Sequence, residues 1–180
     1  MNKGGNLFLI GPMGSGKTTI GRQLAAILHK RFVDADHEIE RRTGVSIPTI
    51  FDIEGEEGFR NREAAVIEDL SRDQDLVLAT GGGAVLREEN RTALKSRGTV
   101  IYLQADVDTL VERTRRDRNR PLLQTADPRG KIEQLLRERE SAYLELADII
   151  VETGQRAPAS VARDVIAHLK QATKNENPEG

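Results

Sequence analysis

The sequence contains no cysteine and no tryptophan, and aromatic residues make up only 3% of its 180 positions. Without cysteine, disulfide bonds and thiolate metal sites are excluded, and a reducing, cytoplasmic compartment is expected. Neither sign of charge is in clear excess, because the formal net charge is only −2. That balance disfavours nucleic acid and anionic membranes as partners.

Long hydrophobic runs are absent as well. The N-terminal apolar run is short and is followed at once by glycines, which excludes a signal peptide or a membrane span there. A chain of this length fits one compact domain, and no repeat or linker divides it. We therefore expect a single domain over residues 1–170 and a polar, disordered tail over residues 171–180.

A glycine-rich octapeptide, GPMGSGKT at residues 11–18, follows the apolar run LFLI at residues 7–10. Apolar residues at helical spacing come next, so strand, loop and helix stand in the order that a phosphate-binding loop requires. Glycines let successive amides turn inward around an anion, and the start of the helix adds its positive dipole end. The sequence therefore predicts binding of a nucleoside triphosphate, with these residues at the phosphates: Gly14, Ser15, Gly16, Lys17, Thr18 and Thr19.

Strand-like runs alternate with helical stretches, which predicts an α/β fold with helices on both faces of a parallel sheet. The predicted strands are residues 7–10, 31–34, 76–79, 99–103 and 148–151.

Two segments stand out from this alternation. A long helical insert at residues 36–71 is broken at Gly44 and Gly55, and a helix is expected to start at Ser46. An insert of this size beside the phosphate loop is a candidate acceptor-binding region. The arginine-rich segment 115–128 has no clean period and is expected to form a lid.

The third strand ends without an acidic residue, so the carboxylate beside a Mg²⁺ ion must come from elsewhere. Asp34, at the end of the second strand, is the candidate, together with the Thr18 hydroxyl. If the chain stays extended, Asp36 points the same way as Asp34 and can face an acceptor hydroxyl. The alternative is that Asp36 only caps the next helix.

Glycines and arginines supply the remaining candidate ligand-binding residues. Gly81, Gly82 and Gly83 follow a buried strand, where they form either a plain turn or a backbone that passes close to a ligand. Arg60 can pair with Glu63 at helical spacing, and Arg120 in the lid could close onto a transferring phosphate.

These elements, in this order, resemble those of shikimate kinases over residues 7–169. The resemblance is carried by the following set: the phosphate loop, Asp34-Ala35-Asp36, Gly55-Glu56 with Phe59-Arg60 and Glu63, Thr80-Gly81-Gly82-Gly83, Arg120-Pro121-Leu122-Leu123, and Arg139 with Tyr143.

The resemblance implies a fold of the nucleoside monophosphate kinase type, with five parallel strands in the order 2-3-1-4-5. It also implies transfer of a phosphoryl group from ATP, with Mg²⁺, to the 3-hydroxyl of shikimate, in the route to chorismate and aromatic amino acids. A monomer is the family default.

The same resemblance implies a role for each candidate site residue. Asp36 would bind shikimate hydroxyls and act as the base, Arg60 and Arg139 would grip its carboxylate, and the backbone of Gly81, Gly82 and Gly83 would contact its ring hydroxyls. Lys17 and Arg120 would stabilise the phosphoryl charge. Arg113 and Arg156 would flank adenine.

Two rival functions fit parts of the sequence. A gluconate-type kinase would handle a similar acceptor, but the Phe59-Arg60 pair and the triple glycine favour shikimate. A GTP-dependent switch would fit the D-x-x-G pattern at residues 52–55, but this pattern lies inside the helical insert, and no guanine-binding Asn-Lys-x-Asp signature occurs.

Overall fold

The computed structural model describes residues 5–176. Its strands are β1 (Leu7–Ile10), β2 (Arg31–Asp34), β3 (Leu76–Ala79), β4 (Thr99–Gln104) and β5 (Ile149–Glu152). Its α-helices are α1 (Lys17–Leu28), α2 (Ala35–Thr43), α3 (Ile47–Leu70), α4 (Glu88–Arg97), α5 (Val107–Thr114), α6 (Pro128–Leu146) and α7 (Pro158–Glu176). Short 3₁₀ turns occupy Ala84–Leu86 and Pro121–Leu123.

The five strands form one parallel sheet in the order β2-β3-β1-β4-β5, which confirms the α/β prediction and the strand order. Phe8 of β1 lies opposite Leu78 of β3 on one side and Val100 of β4 on the other. Because all strands run the same way, their carboxyl ends meet at one edge, which is where ligands bind in open α/β sheets.

The core of the described residues has two main parts, one on each face of the sheet, and a smaller third cluster between α5, α6 and the Pro121–Leu123 turn. Phe8 and Ile10 point into the half covered by α2, α3, α4 and α6, whereas Leu7 and Leu9 point into the half covered by α1 and α7. Strands buried on both faces need continuous apolar runs, and β1 and β3 are buried at every position. The central strands are therefore rigid supports for the loops that follow them.

The helical insert lies between β2 and β3, as predicted. Ser46 caps α3 by accepting a hydrogen bond from the Thr49 N–H at 3.3 Å, and Gly44 ends α2 in the left-handed conformation. Gly55 interrupts α3 with φ 72° and ψ −177°, a region that is essentially open only to glycine. The insert thus consists of α2 followed by α3, and α3 has a short first segment joined through the Gly55 break to a longer one.

The predicted disordered tail is wrong for residues 171–176, because α7 continues to Glu176. This stretch contains several good helix formers. It has no glycine or proline, so nothing in it stops the helix. Residues 177–180, the rest of the predicted tail, lie outside the described residues. Within residues 5–176, no helix has the length and apolar character needed to cross a membrane.

Candidate active site

The phosphate loop connects β1 to α1 through three glycines in the left-handed half of backbone space. Gly11, Gly14 and Gly16 have φ values of 144°, 84° and 97°. Gly16 is also the N-cap of α1, so the first amides of that helix face the cavity above the loop. The loop has the form needed to surround an anion with backbone N–H groups.

Lys17 is buried at the first position of α1, with only 8% of its surface exposed. Its Nζ donates to the loop's own carbonyls, at 2.6 Å to Gly11 and 2.9 Å to Pro12. Burial, together with the nearby positive charge of Arg120, lowers the pKa of Lys17 to about 7. Asp36 and Asp34 oppose this shift only in part, and a phosphate group would add negative charge that favours the protonated lysine.

Asp34 and Thr18 meet at the mouth of the loop. The Thr18 hydroxyl donates to Asp34 Oδ2 at 2.6 Å, and the other carboxylate oxygen caps α2 by accepting from the His37 N–H at 3.1 Å. Asp34, rather than Asp36, is therefore the N-cap of α2. The pair places two hard oxygen atoms beside the phosphate loop.

Asp36 lies in the first turn of α2, so the extended chain assumed between Asp34 and Asp36 is wrong. The helix begins at Ala35 because Asp34 caps it. Both aspartates nevertheless line the cavity above the phosphate loop. Asp36 Oδ1 is buried without a hydrogen-bond partner among the described residues. Burial raises the pKa of Asp36 to about 7, with further contributions from the charges of Glu63 and Asp34.

Arg60 and Glu63 form a buried ion pair on α3, with exposed fractions of 7% and 0%. Arg60 Nη1 donates to Glu63 Oε1 at 2.9 Å, which confirms the predicted pairing. Arg60 Nη2 also reaches the half-exposed Glu56 at 3.3 Å. Arg60 Nε and Glu63 Oε2 have no partner within the described part of the chain. Burial raises the pKa of Glu63 despite the attraction of Arg60.

Arg139 projects from α6 into the same region and is only 4% exposed. Its Nε is another buried atom without a partner in residues 5–176. One helical turn later, the Tyr143 hydroxyl donates to the Gly82 carbonyl at 2.5 Å.

The three glycines after β3 (residues 81–83, the glycine loop) make room for this charged cluster. A Cβ at Gly81 would come 2.6 Å from Glu63 Oε2 and 3.0 Å from Asp36 Oδ1. One at Gly82 would lie 3.4 Å from Arg139 Nη1, and one at Gly83 would collide with the Arg60 guanidinium. This backbone therefore packs closely against the site's own side chains, whereas its predicted contact with a ligand stays a prediction.

Two cavities meet at these residues. The acceptor cavity has a charged wall, formed by Asp36, Arg60, Glu63, Arg120 and Arg139 with the glycine loop, and an apolar wall, formed by Met13, Ile47, Phe51 and Phe59. The phosphate cleft is lined by Gly14, Gly16, Lys17, Thr18, Thr19, Asp34 and Arg113. Asp36, Gly81, Gly82 and Arg120 line both, so the two cavities adjoin at these four residues.

The other three arginines predicted for the site have different contacts. Arg120 is held by Asp117, whose Oδ2 accepts from Nε at 2.8 Å. Arg113 donates to the carbonyls of Gly14 at 3.1 Å and Gly154 at 2.6 Å, beside the phosphate loop. Arg156 instead pairs with Asp164 of α7 at 2.6 Å, and it is not part of the lining of the phosphate cleft.

Sequence reasoning missed the apolar wall of the acceptor cavity. Ile47 and Phe51 are four residues apart on α3, a spacing that indicates a core face and gives no sign of a ligand. Met13 lies inside the phosphate loop, whose sequence pattern identifies only the glycines, Lys17 and Thr18 as functional positions. Nothing in the pattern of these residues distinguishes them from ordinary core positions.

The D-x-x-G pattern of the rival switch hypothesis lies within α3, at residues 52–55. It does not follow a strand of the sheet. The structural context that a guanine-nucleotide switch requires is therefore missing from this position.

Comparisons with known proteins indicate one family. The family model described as shikimate kinase matches residues 13–170. A curated shikimate kinase of Chromobacterium violaceum is 64% identical, with 84% of this chain and 83% of that protein covered. A solved shikimate kinase of Acinetobacter baumannii, in complex with shikimate, is 48% identical with a TM-score of 0.92, and 93% of each chain is covered.

A gluconokinase of Sinorhizobium meliloti is a more distant structural neighbour. It is 17% identical with a TM-score of 0.59, and 97% of each chain is covered. That likeness shows a common fold alone. Because the family model spans most of the sequence and curated relatives exceed half identity, the chain belongs to the shikimate kinase family of phosphotransferases.

Proposed function

We propose that this protein transfers the γ-phosphoryl group of ATP to the 3-hydroxyl of shikimate, giving shikimate 3-phosphate and ADP. Four buried atoms without partners among residues 5–176 carry this proposal: Asp36 Oδ1, Glu63 Oε2, Arg60 Nε and Arg139 Nε. All four belong to residues that line the acceptor cavity. Since buried polar groups are rarely left unpaired, these atoms are the natural partners of a ligand.

The chemistry of these groups matches a hydroxylated carboxylic acid. The guanidinium groups of Arg60 and Arg139 can bind a carboxylate through charge-assisted hydrogen bonds. The carboxylate of Asp36 can accept from hydroxyls. The apolar wall opposite them suits the carbon face of a ring.

Phosphoryl transfer depends mainly on positioning and on neutralisation of charge. Lys17 and Arg120 both line the phosphate cleft, and Arg120 also lines the acceptor cavity, so we assign these two cations to the phosphoryl oxygens. Asp36 orients the attacking hydroxyl and takes its proton. Its pKa of about 7 is suited to accepting a proton near neutral pH. Gly14, Ser15, Gly16, Thr18 and Thr19 surround the phosphates.

Mg²⁺ fits the oxygen pair formed by Thr18 and Asp34. No group of three or more acidic, histidine or cysteine side chains that could hold a metal occurs in residues 5–176. Mg²⁺ in kinases is usually held by one or two protein oxygens plus phosphates and water, so the pair suffices. Bound there, the ion would neutralise charge on the β- and γ-phosphates.

A coupled assay of ADP release tests the proposal. We expect turnover with ATP and shikimate, and at least a hundredfold lower kcat/KM with gluconate, because an open-chain polyol cannot use the apolar wall and the two arginines together. GTP in place of ATP serves as the nucleotide control. Turnover with gluconate but not with shikimate would overturn the assignment of the acceptor.

A further inference from the structure

The glycine loop carries no side chains that could fix its position, although it separates the charged groups of the acceptor cavity. Two of its carbonyls are held locally, because Gly81 O accepts from the Ala84 N–H and Gly83 O from the Leu86 N–H, both at 3.1 Å. These bonds belong to the 3₁₀ turn that follows. The third carbonyl, Gly82 O, accepts from the Tyr143 hydroxyl, 61 residues away on α6.

Tyr143 is held in a fixed place by its surroundings. Its exposed fraction is 1%, and its ring stacks on Tyr102 of β4 with the centroids 5.0 Å apart. Burial raises the pKa of Tyr143 to about 12, against a smaller opposite influence of the nearby Arg139. The hydroxyl therefore stays protonated throughout the pH range of an assay and donates a hydrogen bond to Gly82 O.

Arg139 and Tyr143 occupy successive turns of α6 and meet the loop at the same glycine. A Cβ at Gly82 would lie 3.4 Å from Arg139 Nη1, so this guanidinium packs directly against the loop. The hydrogen bond from Tyr143 thus ties the loop to the helix that carries one of the two proposed carboxylate-binding arginines.

We propose that Tyr143 is a positioning residue for the acceptor, because its hydroxyl fixes the distance between the glycine loop and Arg139. The inference rests on the proposed function, in which Arg139 and the glycine loop bind shikimate. The phosphate loop is anchored by β1 and α1, so we expect loss of this bond to act mainly on the acceptor cavity.

The test compares Tyr143→Phe with the matched control Tyr102→Phe. Each change removes one hydroxyl from the same stacked pair and keeps both rings. The Tyr102 hydroxyl makes no hydrogen bond to the glycine loop within the described residues. For Tyr143→Phe we expect the KM for shikimate to rise about tenfold, the equivalent of one lost hydrogen bond. The KM for ATP should stay within about twofold, and Tyr102→Phe should leave both KM values unchanged.

Incorporation of 3-fluorotyrosine at position 143 provides a rescue, since it keeps both the ring and the hydroxyl. We expect its KM for shikimate to stay near that of the wild type. A melting temperature is measured for each variant, so that loss of fold is recognised.

Three results would overturn the inference: a lower melting temperature for Tyr143→Phe with an unchanged KM for shikimate, equal changes in the two phenylalanine variants, or equal rises in the two KM values. Failure of the proposed function looks different, because the wild type itself would then show no turnover with shikimate.

Discussion

Glu63 has an exposed fraction of 0% and still keeps one carboxylate oxygen without a partner in the described chain. Asp36, Arg60 and Arg139 show the same incomplete pairing. Buried charges of this kind cost stability, and proteins tolerate them where function needs them. At the scale of single residues, the incompletely paired charges of the acceptor cavity therefore lower the stability of the fold and leave polar atoms available to bind a ligand.

Asp36 is expected to be needed for turnover and not for nucleotide binding. Asp36→Asn keeps the shape of the side chain but cannot take the hydroxyl proton, so kcat should fall by about 10²–10⁴-fold. The affinity for ATP, measured by calorimetry, should change little. Turnover at the wild-type rate would remove Asp36 from the mechanism.

The same substitution should stabilise the ligand-free protein in a pH-dependent way. The pKa of Asp36 is about 7 in the folded state against an ordinary value of 3.8. Between these values the folded protein keeps a proton that the unfolded chain has lost, so the contribution of Asp36 to stability falls as pH rises. Asp36→Asn should raise the free energy of unfolding by about 1–3 kcal/mol at pH 8.

Urea unfolding between pH 4.5 and pH 8 checks this expectation. The advantage of Asp36→Asn should shrink steadily as the pH is lowered, because the folded wild-type protein takes up a proton at Asp36 and no longer buries a charge there, whereas the unfolded chain stays largely ionised until the pH approaches 3.8. A gain of equal size at both ends of the range would show that burial of the charge is not its cause.

Arg60 is expected to act on the acceptor alone. Arg60→Lys keeps a positive charge beside Glu63 but loses the planar fork, so the KM for shikimate should rise by about tenfold or more. Arg62→Lys is the matched control, since Arg62 lies on the same helix and pairs with Glu54 at the surface. An unchanged KM in the Arg60 variant would refute the role in carboxylate binding.

At the scale of elements, the sequence predicted the strands well because each is an apolar run with clear boundaries. β1, β2 and β3 have the predicted bounds, β4 is one residue longer at its end, and β5 is shifted by one residue at both ends. The start of α2 was harder to place, because Asp34 and Asp36 are both suitable caps. The packing of Arg60 against Gly83 joins elements that are distant in sequence, and no local pattern encodes it.

The glycine break in α3 gives a prediction for the insert. A Cβ at Gly55 or at Gly44 would meet nothing within 4 Å, so the two positions differ only in backbone conformation. Gly44 is left-handed, with φ 74° and ψ 8°, whereas Gly55 has φ 72° and ψ −177°. Gly44→Ala should cost about 1 kcal/mol and Gly55→Ala about 2–3 kcal/mol. Chemical denaturation of the two variants measures the difference, and equal costs would contradict it.

At the scale of the whole molecule, the parallel sheet explains why the site could be predicted in outline. Every predicted site residue except Arg156 lines one of the two adjoining cavities or lies in the phosphate loop. The residues follow different strands, and the fold collects them at one edge. The apolar wall was not predicted, because its members have the same spacing as core residues.

The segment 115–128 remains a predicted lid, and its arginines make it testable. Arg115, Arg116 and Arg118 are exposed on the segment that carries Arg120 to both cavities. Trypsin should cut the free protein first in this segment. ATP and shikimate together should slow that cleavage at least severalfold, if the segment closes over them. Equal cleavage with and without ligands would argue against closure.

The stacked tyrosines have a practical consequence. The whole chain contains two tyrosines and no tryptophan, and both tyrosines lie in this one pair behind the glycine loop. Ultraviolet emission and near-ultraviolet circular dichroism from tyrosine therefore originate at a single spot beside the acceptor cavity. The protein carries its own optical reporter there, and titration with shikimate can be followed without attaching a dye.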